Sequence, residues 1–298
     1  MSNPWLAQQE RGHRWAYQFM LWVALRVGRK SARTLLYPIC TYYVLFSWNA
    51  SKGIKAFLRR VLPRRVTLKD LFLHYHAFAS TLLDRTYILA NQRDEFDLKI
   101  RDLNILLDRV DRKQGCLLLG SHLGSFDILR ATGLATRNAP IKLLMHKENA
   151  PIINEVFGKL DPSLIDCIIP VGEPDTMLRA KDCLDAGGLV GMLGDRPLKN
   201  EKVVLCNFFG HNAQFPTGPM LLASILKVPV VLFFCLYRGD GRYDIHFELF
   251  AESVIIPREH RAEGLQEWTQ RYALRLEAYC RMAPNNWFNF YDFWEKDQ

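Results

Sequence analysis

A histidine and an aspartate stand five residues apart where an apolar run ends, in LLLGSHLGSFDIL, Leu117–Leu129. A carboxylate that accepts one ring N–H of a histidine fixes its tautomer and raises the basicity of the other nitrogen. His122 and Asp127 have the residue types for that task. An unperturbed imidazole titrates near about 6.5, so it accepts a proton at neutral pH, and general base catalysis contributes roughly 10²–10⁴-fold. A helix beginning at Leu123–Ser125 would put Asp127 in its first turns, within reach of the ring. The same spacing suits a plainer arrangement, with Asp127 capping a helix and His122 as a core hydrogen bonder. Spacing alone does not separate the two. In GSHLG, His122 takes the centre of a nucleophile-elbow pentapeptide and Ser121 stands beside it. Neither Ser121 nor Ser125 is required as a nucleophile. A base that deprotonates an acceptor hydroxyl, which then attacks an activated acyl group, fits without a covalent intermediate.

The elements that must position these residues read as an α/β chain. From Val66 to Ile105 the apolar residues recur at helical steps, as in Leu68, Leu71, Phe72, Tyr75 and Phe78. Alternation then begins. Strands are expected at 115–121, 141–146, 166–171, 188–195, 229–238 and 242–250. Helices are expected at 127–135, 150–160, 175–187 with Asp175 as cap, 218–227 and 263–283. The last two strands pair through the turn RGDGR. Repeated strand–helix units argue a central mixed, mostly parallel sheet flanked by helices. In such sheets chemistry sits past the carboxyl ends of strands, where His122 stands.

Net charge is +8, but residues 1–69 hold thirteen Lys or Arg and one acidic residue, so the rest of the chain is net acidic. Two apolar runs, Trp15–Leu25 and Thr34–Ser51, sit among these cations. The first is shorter than the ~20 residues of a bilayer span. The second is borderline and carries Pro38 and Asn49. Their Trp, Tyr, Arg and Lys content suits the membrane–water interface. Lys52, Lys55, Arg59, Arg60, Arg64 and Arg65 follow, each worth ~1 kcal/mol near anionic lipid. We therefore expect residues 1–65 to be a membrane-associated helical segment and 66–298 a catalytic domain. Two helices packed on that domain are the alternative. No nucleic-acid module is recognisable, and aliphatic neighbours suit acyl chains better than phosphate grooves. The start does not read as a secretory signal. Seven scattered cysteines without a C-x-x-C pair read as buried reduced thiols of a cytosolic compartment. His74 and His76 point to different helix faces, and no metal site is expected.

H-x-x-x-x-D after an apolar strand resembles the signature of the lysophospholipid acyltransferase superfamily. Further blocks resemble its bacterial lipid A biosynthesis (lauroyl/myristoyl) branch: SHLGSFD at 121–127, MLGDRP at 192–197 and NFFGHNAQFPTGPMLLA at 207–223. The order agrees from about Leu117 to Arg238, and the N-terminal segment is similar to that branch's membrane helix. The resemblance implies an O-acyltransferase taking its chain from an acyl carrier protein or CoA thioester, with no bound cofactor. The acceptor would be a hydroxyl of a lipid, and the place the cytoplasmic face of a bacterial inner membrane. It implies His122 as base and Asp127 as its orienting partner. Asp195 and Arg196 would hold the site or an anionic group of the acceptor. Phe208, Phe209, Gly210, Thr217 and Gly218 would be pocket wall and turn, with N–H groups at the Gly218 helix start open to an anion. Two features depart from the branch. MHK stands at Met145–Lys147 where an Arg-rich segment is usual, and the tail PNNWFNFYDFWEKDQ is aromatic and acidic. That tail is closer to acyltransferases of aryl-polyene or xanthomonadin-type pigment pathways, so a pigment-lipid acceptor stands beside lipid A. A lipid or thioester hydrolase and a non-catalytic membrane adaptor are the rival readings.

Overall fold

The computed structural model describes residues 14–131, 140–145, 158, 166–197 and 201–294. Helices α1 (Arg14–Val27), α2 (Arg29–Phe46), α3 (Trp48–Val61) and α4 (Leu68–Leu89) come first. Strand β1 (Asp97–Arg101), helix α5 (Asn104–Asp111), strand β2 (Cys116–Gly120) and a 3-10 turn (Phe126–Ala131) follow. Then come β3 (Ile141–Met145), β4 (Ile168–Pro170), α6 (Thr176–Asp185), β5 (Leu189–Leu193), β6 (Val203–Phe208) and β7 (His211–Pro216). The chain closes with α7 (Gly218–Leu226), β8 (Val230–Tyr237), β9 (Arg242–Ala251) and α8 (Arg261–Met282). The helix expected over 150–160 lies, apart from Gly158, outside the described residues. So do His146 and Lys147, and the end of the helix expected over 127–135.

Seven strands form one sheet in the order β1-β9-β8-β2-β5-β3-β4, and β6 pairs with β7 in a separate hairpin. Every neighbouring pair of the large sheet is parallel except the β8–β9 hairpin. The expected mixed, mostly parallel sheet is therefore what forms. Central strands β2 and β8 are buried along their whole length, because helices cover both faces. Side chains alternate between the faces: Leu117 and Leu119 enter one core with Phe57, Leu36 and Leu276, and Cys116 and Leu118 enter the other with Leu106 and Ile128.

The sequence expectation of helix from Val66 to Ile105 is corrected. Helix α4 ends at Leu89, and DLKIR forms the edge strand β1, parallel to β9. Its partner lies about 145 residues away, so nothing local announces it. Strands β6 and β7 were likewise unforeseen. Asp175 precedes α6, but its side chain makes no capping hydrogen bond. Instead the Glu173 N–H donates to Thr176 Oγ1, and Asp175 faces Arg179. Thr34–Ser51 is broken at Ser47 into α2 and α3. No described helix is long and apolar enough to cross a membrane.

The N-terminal helices share the main core with the sheet, through Ala24, Ala32, Leu36, Cys40, Ile54 and Phe57. A buried ion pair reinforces that packing. Arg29 donates from Nε and one terminal nitrogen to Asp84 Oδ1 at 3.0 Å, and Tyr243 of β9 donates to Oδ2 at 2.8 Å. Burial pushes the Asp84 carboxyl up, and Arg29 and Tyr243 oppose this. The seven cysteines are free, and all but Cys167 are buried.

Candidate active site

Strands β2 and β5 are parallel neighbours, with Gly120 opposite Leu193. Two residues beyond each stand His122 and Asp195. Register thus delivers both to the same carboxyl edge of the sheet. His122 Nδ1 lies 2.8 Å from Asp195 Oδ1. The His122 peptide N–H also donates to both carboxylate oxygens at 3.1 Å, and Trp287 Nε1 donates to Oδ2 at 2.9 Å. Asp195 is fully buried, while the His122 side chain keeps 30% of its surface.

The charge states follow from these contacts. Burial works against the Asp195 carboxylate. His122, Arg196 and the Trp287 indole outweigh it and hold the group well below the usual carboxylate range. Burial, aided by the Arg196 guanidinium, holds His122 below its ordinary value although Asp195 pulls the other way. The pair at neutral pH is therefore a neutral imidazole beside a carboxylate. With Nδ1–H directed at Asp195, Nε2 carries the free lone pair.

The structure does not bring Asp127 to the imidazole. The 3-10 turn carries Asp127 toward α4, where Arg85 Nε lies 3.1 Å from its carboxylate. The partner expected from sequence is thus replaced by Asp195, because parallel register reaches His122 more directly than a tight turn can. Both pair members are partly exposed, 19% for Arg85 and 26% for Asp127. Ser121 and Ser125 are buried, and neither hydrogen-bonds His122.

Gly124 explains why this loop can pass so close to β8. Its φ is +72°, and a Cβ there would lie 1.6 Å from the Cys235 carbonyl oxygen. Only glycine fits such an approach. The segment after α8 completes the loop's support. Gly124 N–H donates to Asn286 O, and Phe288 N–H to His122 O, each at 2.8 Å. Leu123 and Trp287 form an antiparallel bridge. Arg196 donates to the Phe288 carbonyl.

The remaining expected residues stand one layer out. Phe209 and Gly210 make the β6–β7 turn, with φ of +55° and +77°. That is the two-residue turn whose twist suits a hairpin. The Phe209 N–H donates to Glu277 at 2.5 Å, and its ring meets Phe57 and Trp294. Phe208 packs on Trp287 at 5.4 Å between ring centres. Thr217 donates to the Lys202 carbonyl at 3.1 Å. The N–H of Gly218, expected to face an external anion, donates to Glu201 Oε1 at 3.2 Å. The anion at this helix start is the chain's own carboxylate. Sequence reading missed Arg85 and the individual role of Trp287. One indole in an aromatic tail carries no positional signal.

His122 and Asp195 thus form a hydrogen-bonded imidazole–carboxylate pair at the carboxyl edge of the sheet. A comparison with curated proteins finds no match. A family model for bacterial lipid A biosynthesis acyltransferases matches residues 4–296, nearly the whole chain. The chain belongs to the bacterial lipid A biosynthesis acyltransferase family, and it is an acyltransferase acting on lipid.

Proposed function

We propose that this chain moves a fatty acyl group from a thioester carrier, acyl carrier protein or CoA, to a hydroxyl of a lipid A-like or pigment-lipid acceptor. His122 is the general base. Its Nε2 takes the acceptor's hydroxyl proton as the oxygen attacks the thioester carbon. The C–S bond then breaks, the ester is released, and the thiolate leaves without needing a strong acid. Asp195 keeps Nδ1 protonated and stabilises the imidazolium that forms. The observation that carries this reading is the 2.8 Å contact between His122 Nδ1 and a fully buried carboxylate, at the end of adjacent parallel strands. Asp127, first expected as the orienting partner, instead anchors the end of the His122 loop to α4 through Arg85. Arg196 sits beside the pair and suits an anionic group on the acceptor.

The acceptor side of the reaction calls for a membrane. Trp15, Phe19, Trp22, Tyr37, Tyr42, Phe46 and Trp48 are each more than half exposed on α1, α2 and the start of α3. Arg26, Lys30, Lys52, Lys55 and Arg59 lie among them. Aromatic rings with interspersed cations suit the headgroup level of an anionic bilayer. We place the protein on the cytoplasmic face of the inner membrane, lying on it rather than crossing it.

The test is transfer of a labelled acyl chain from acyl carrier protein to an extracted lipid fraction, with mass spectrometry identifying the species that gains the chain. His122→Ala should lower transfer by 10²-fold or more while circular dichroism stays native. Retained transfer would sink the mechanism. The imidazole must be neutral to act, and its proton affinity lies below the ordinary value. Activity should therefore hold as pH falls to about 6.5 and decline only below it.

A further inference from the structure

We propose that Trp287 is a positioning residue for the base: its indole N–H fixes the Asp195 carboxylate so that the other oxygen faces His122. This rests on the reading of His122 as the base. Among the described residues, four hydrogen bonds reach the Asp195 carboxylate. Three come from His122 itself, and the fourth is the 2.9 Å donation from Trp287 Nε1 to Oδ2. Trp287 is therefore the donor that can hold the carboxylate independently of the histidine it serves. Other indoles of the chain donate to peptide carbonyls, Trp268 to Ile255 and Trp294 to Phe208. The Trp287 indole meets a buried charge, where a donor is worth about twice a neutral one.

The indole is itself held rigidly. It has no exposed surface. Phe57 and Phe293 stand edge-on to it with ring centres 4.9 Å away. Its neighbours Asn286 and Phe288 bond the backbone of Gly124 and His122, so one short segment fixes both the histidine loop and the carboxylate behind it. Among the described residues, the charged group that faces the imidazole besides Asp195 is Arg196. Around Asp195 lie Tyr272, Cys280 and Tyr291, all held protonated by burial.

Trp287→Phe keeps a ring and removes the N–H. Freed of one donor, the carboxylate should interact more strongly with imidazolium, so the acid limb of kcat/KM should move up by about 0.5–1 pH unit. We expect kcat to fall on the order of tenfold with KM nearly unchanged. Trp268→Phe is the control, since it removes an indole N–H from the Ile255 carbonyl instead; it should leave the limb where it is. An unmoved limb in folded Trp287→Phe would overturn the proposal. If that variant does not fold, the wild-type chain still decides. The His122 ring and Trp287 indole N–H resonances should titrate together in NMR, and independent titration would overturn the proposal. This arm needs no substrate, so it stands apart from the success of the transfer assay.

Discussion

The two aromatic-rich ends of this chain have opposite fates. In the N-terminal helices Trp15, Trp22 and Trp48 are 68%, 56% and 80% exposed. In the C-terminal segment Trp287 has no exposure and Phe288 and Phe293 have 6% each. Composition does not separate the two. What separates them is the surroundings of the backbone. The C-terminal segment bonds to the His122 loop and drops its rings among Phe57, Phe208 and Phe209, and around His74. Helices α1 and α2 turn one face to that core and leave Trp15, Trp22, Tyr42 and Phe46 more than half exposed on the other. One set of rings packs behind the His122–Asp195 pair, and the other has the composition that suits a bilayer interface.

The largest test of this contrast compares Trp287→Ala with Trp48→Ala. The first should cost about 3–5 kcal/mol of unfolding free energy in urea, and the second should stay within about 0.5. Equal costs would dissolve the distinction. The inner face of α2 should behave like the C-terminal segment. Arg29→Ala strands the buried Asp84 carboxylate and should cost about 3–5 kcal/mol by the same assay. A neutral result would mean that α2 is only loosely docked.

A smaller effect sits inside the buried aromatic set. His74 is fully buried against Phe57, Phe288 and Phe290, neither ring nitrogen has a hydrogen-bond partner, and burial lowers its pKa to about 3. The unfolded chain takes up a proton near 6.5 that the folded chain refuses. Stability from this group is present above about 6.5 and is lost as pH falls toward 3. His74→Leu should therefore recover about 2 kcal/mol at pH 5 relative to its effect at pH 8. Equal effects at the two pH values would show that the ring finds a partner.

The smallest expected effect concerns the exposed set. Replacing Trp15, Trp22 and Trp48 together by Ser should leave the melting temperature nearly unchanged and weaken partition to anionic vesicles by about tenfold. Raising salt toward 1 M, where screening shortens to about 3 Å, should weaken wild-type binding further. Unchanged partition in both experiments would remove the exposed rings of α1 and the start of α3 as the membrane contact.

Much of the architecture was legible because periodicity is local. The apolar runs of β2 and β8, the turn between β8 and β9 and the amphipathic α8 all announce themselves within a few residues. Strand β1 did not, since its partner β9 is far along the chain and its alternation is short. The β6–β7 hairpin was hidden in a block read as wall and turn. Asp195 was noticed, but only beside Arg196 and not as the partner of His122.

The sequence by itself determined that a histidine would emerge from a buried strand at the carboxyl edge of an α/β sheet. It also determined that cations and rings would crowd the N-terminus. Only the tertiary structure decided which carboxylate the histidine meets. Five residues separate His122 from Asp127 and 73 separate it from Asp195, yet the longer separation makes the contact. Parallel pairing of β2 with β5 aligns the two strand ends, and the 3-10 turn spends the short separation reaching Arg85 on α4. Proximity in a folded chain follows strand register, and register is a long-range property that local spacing does not carry.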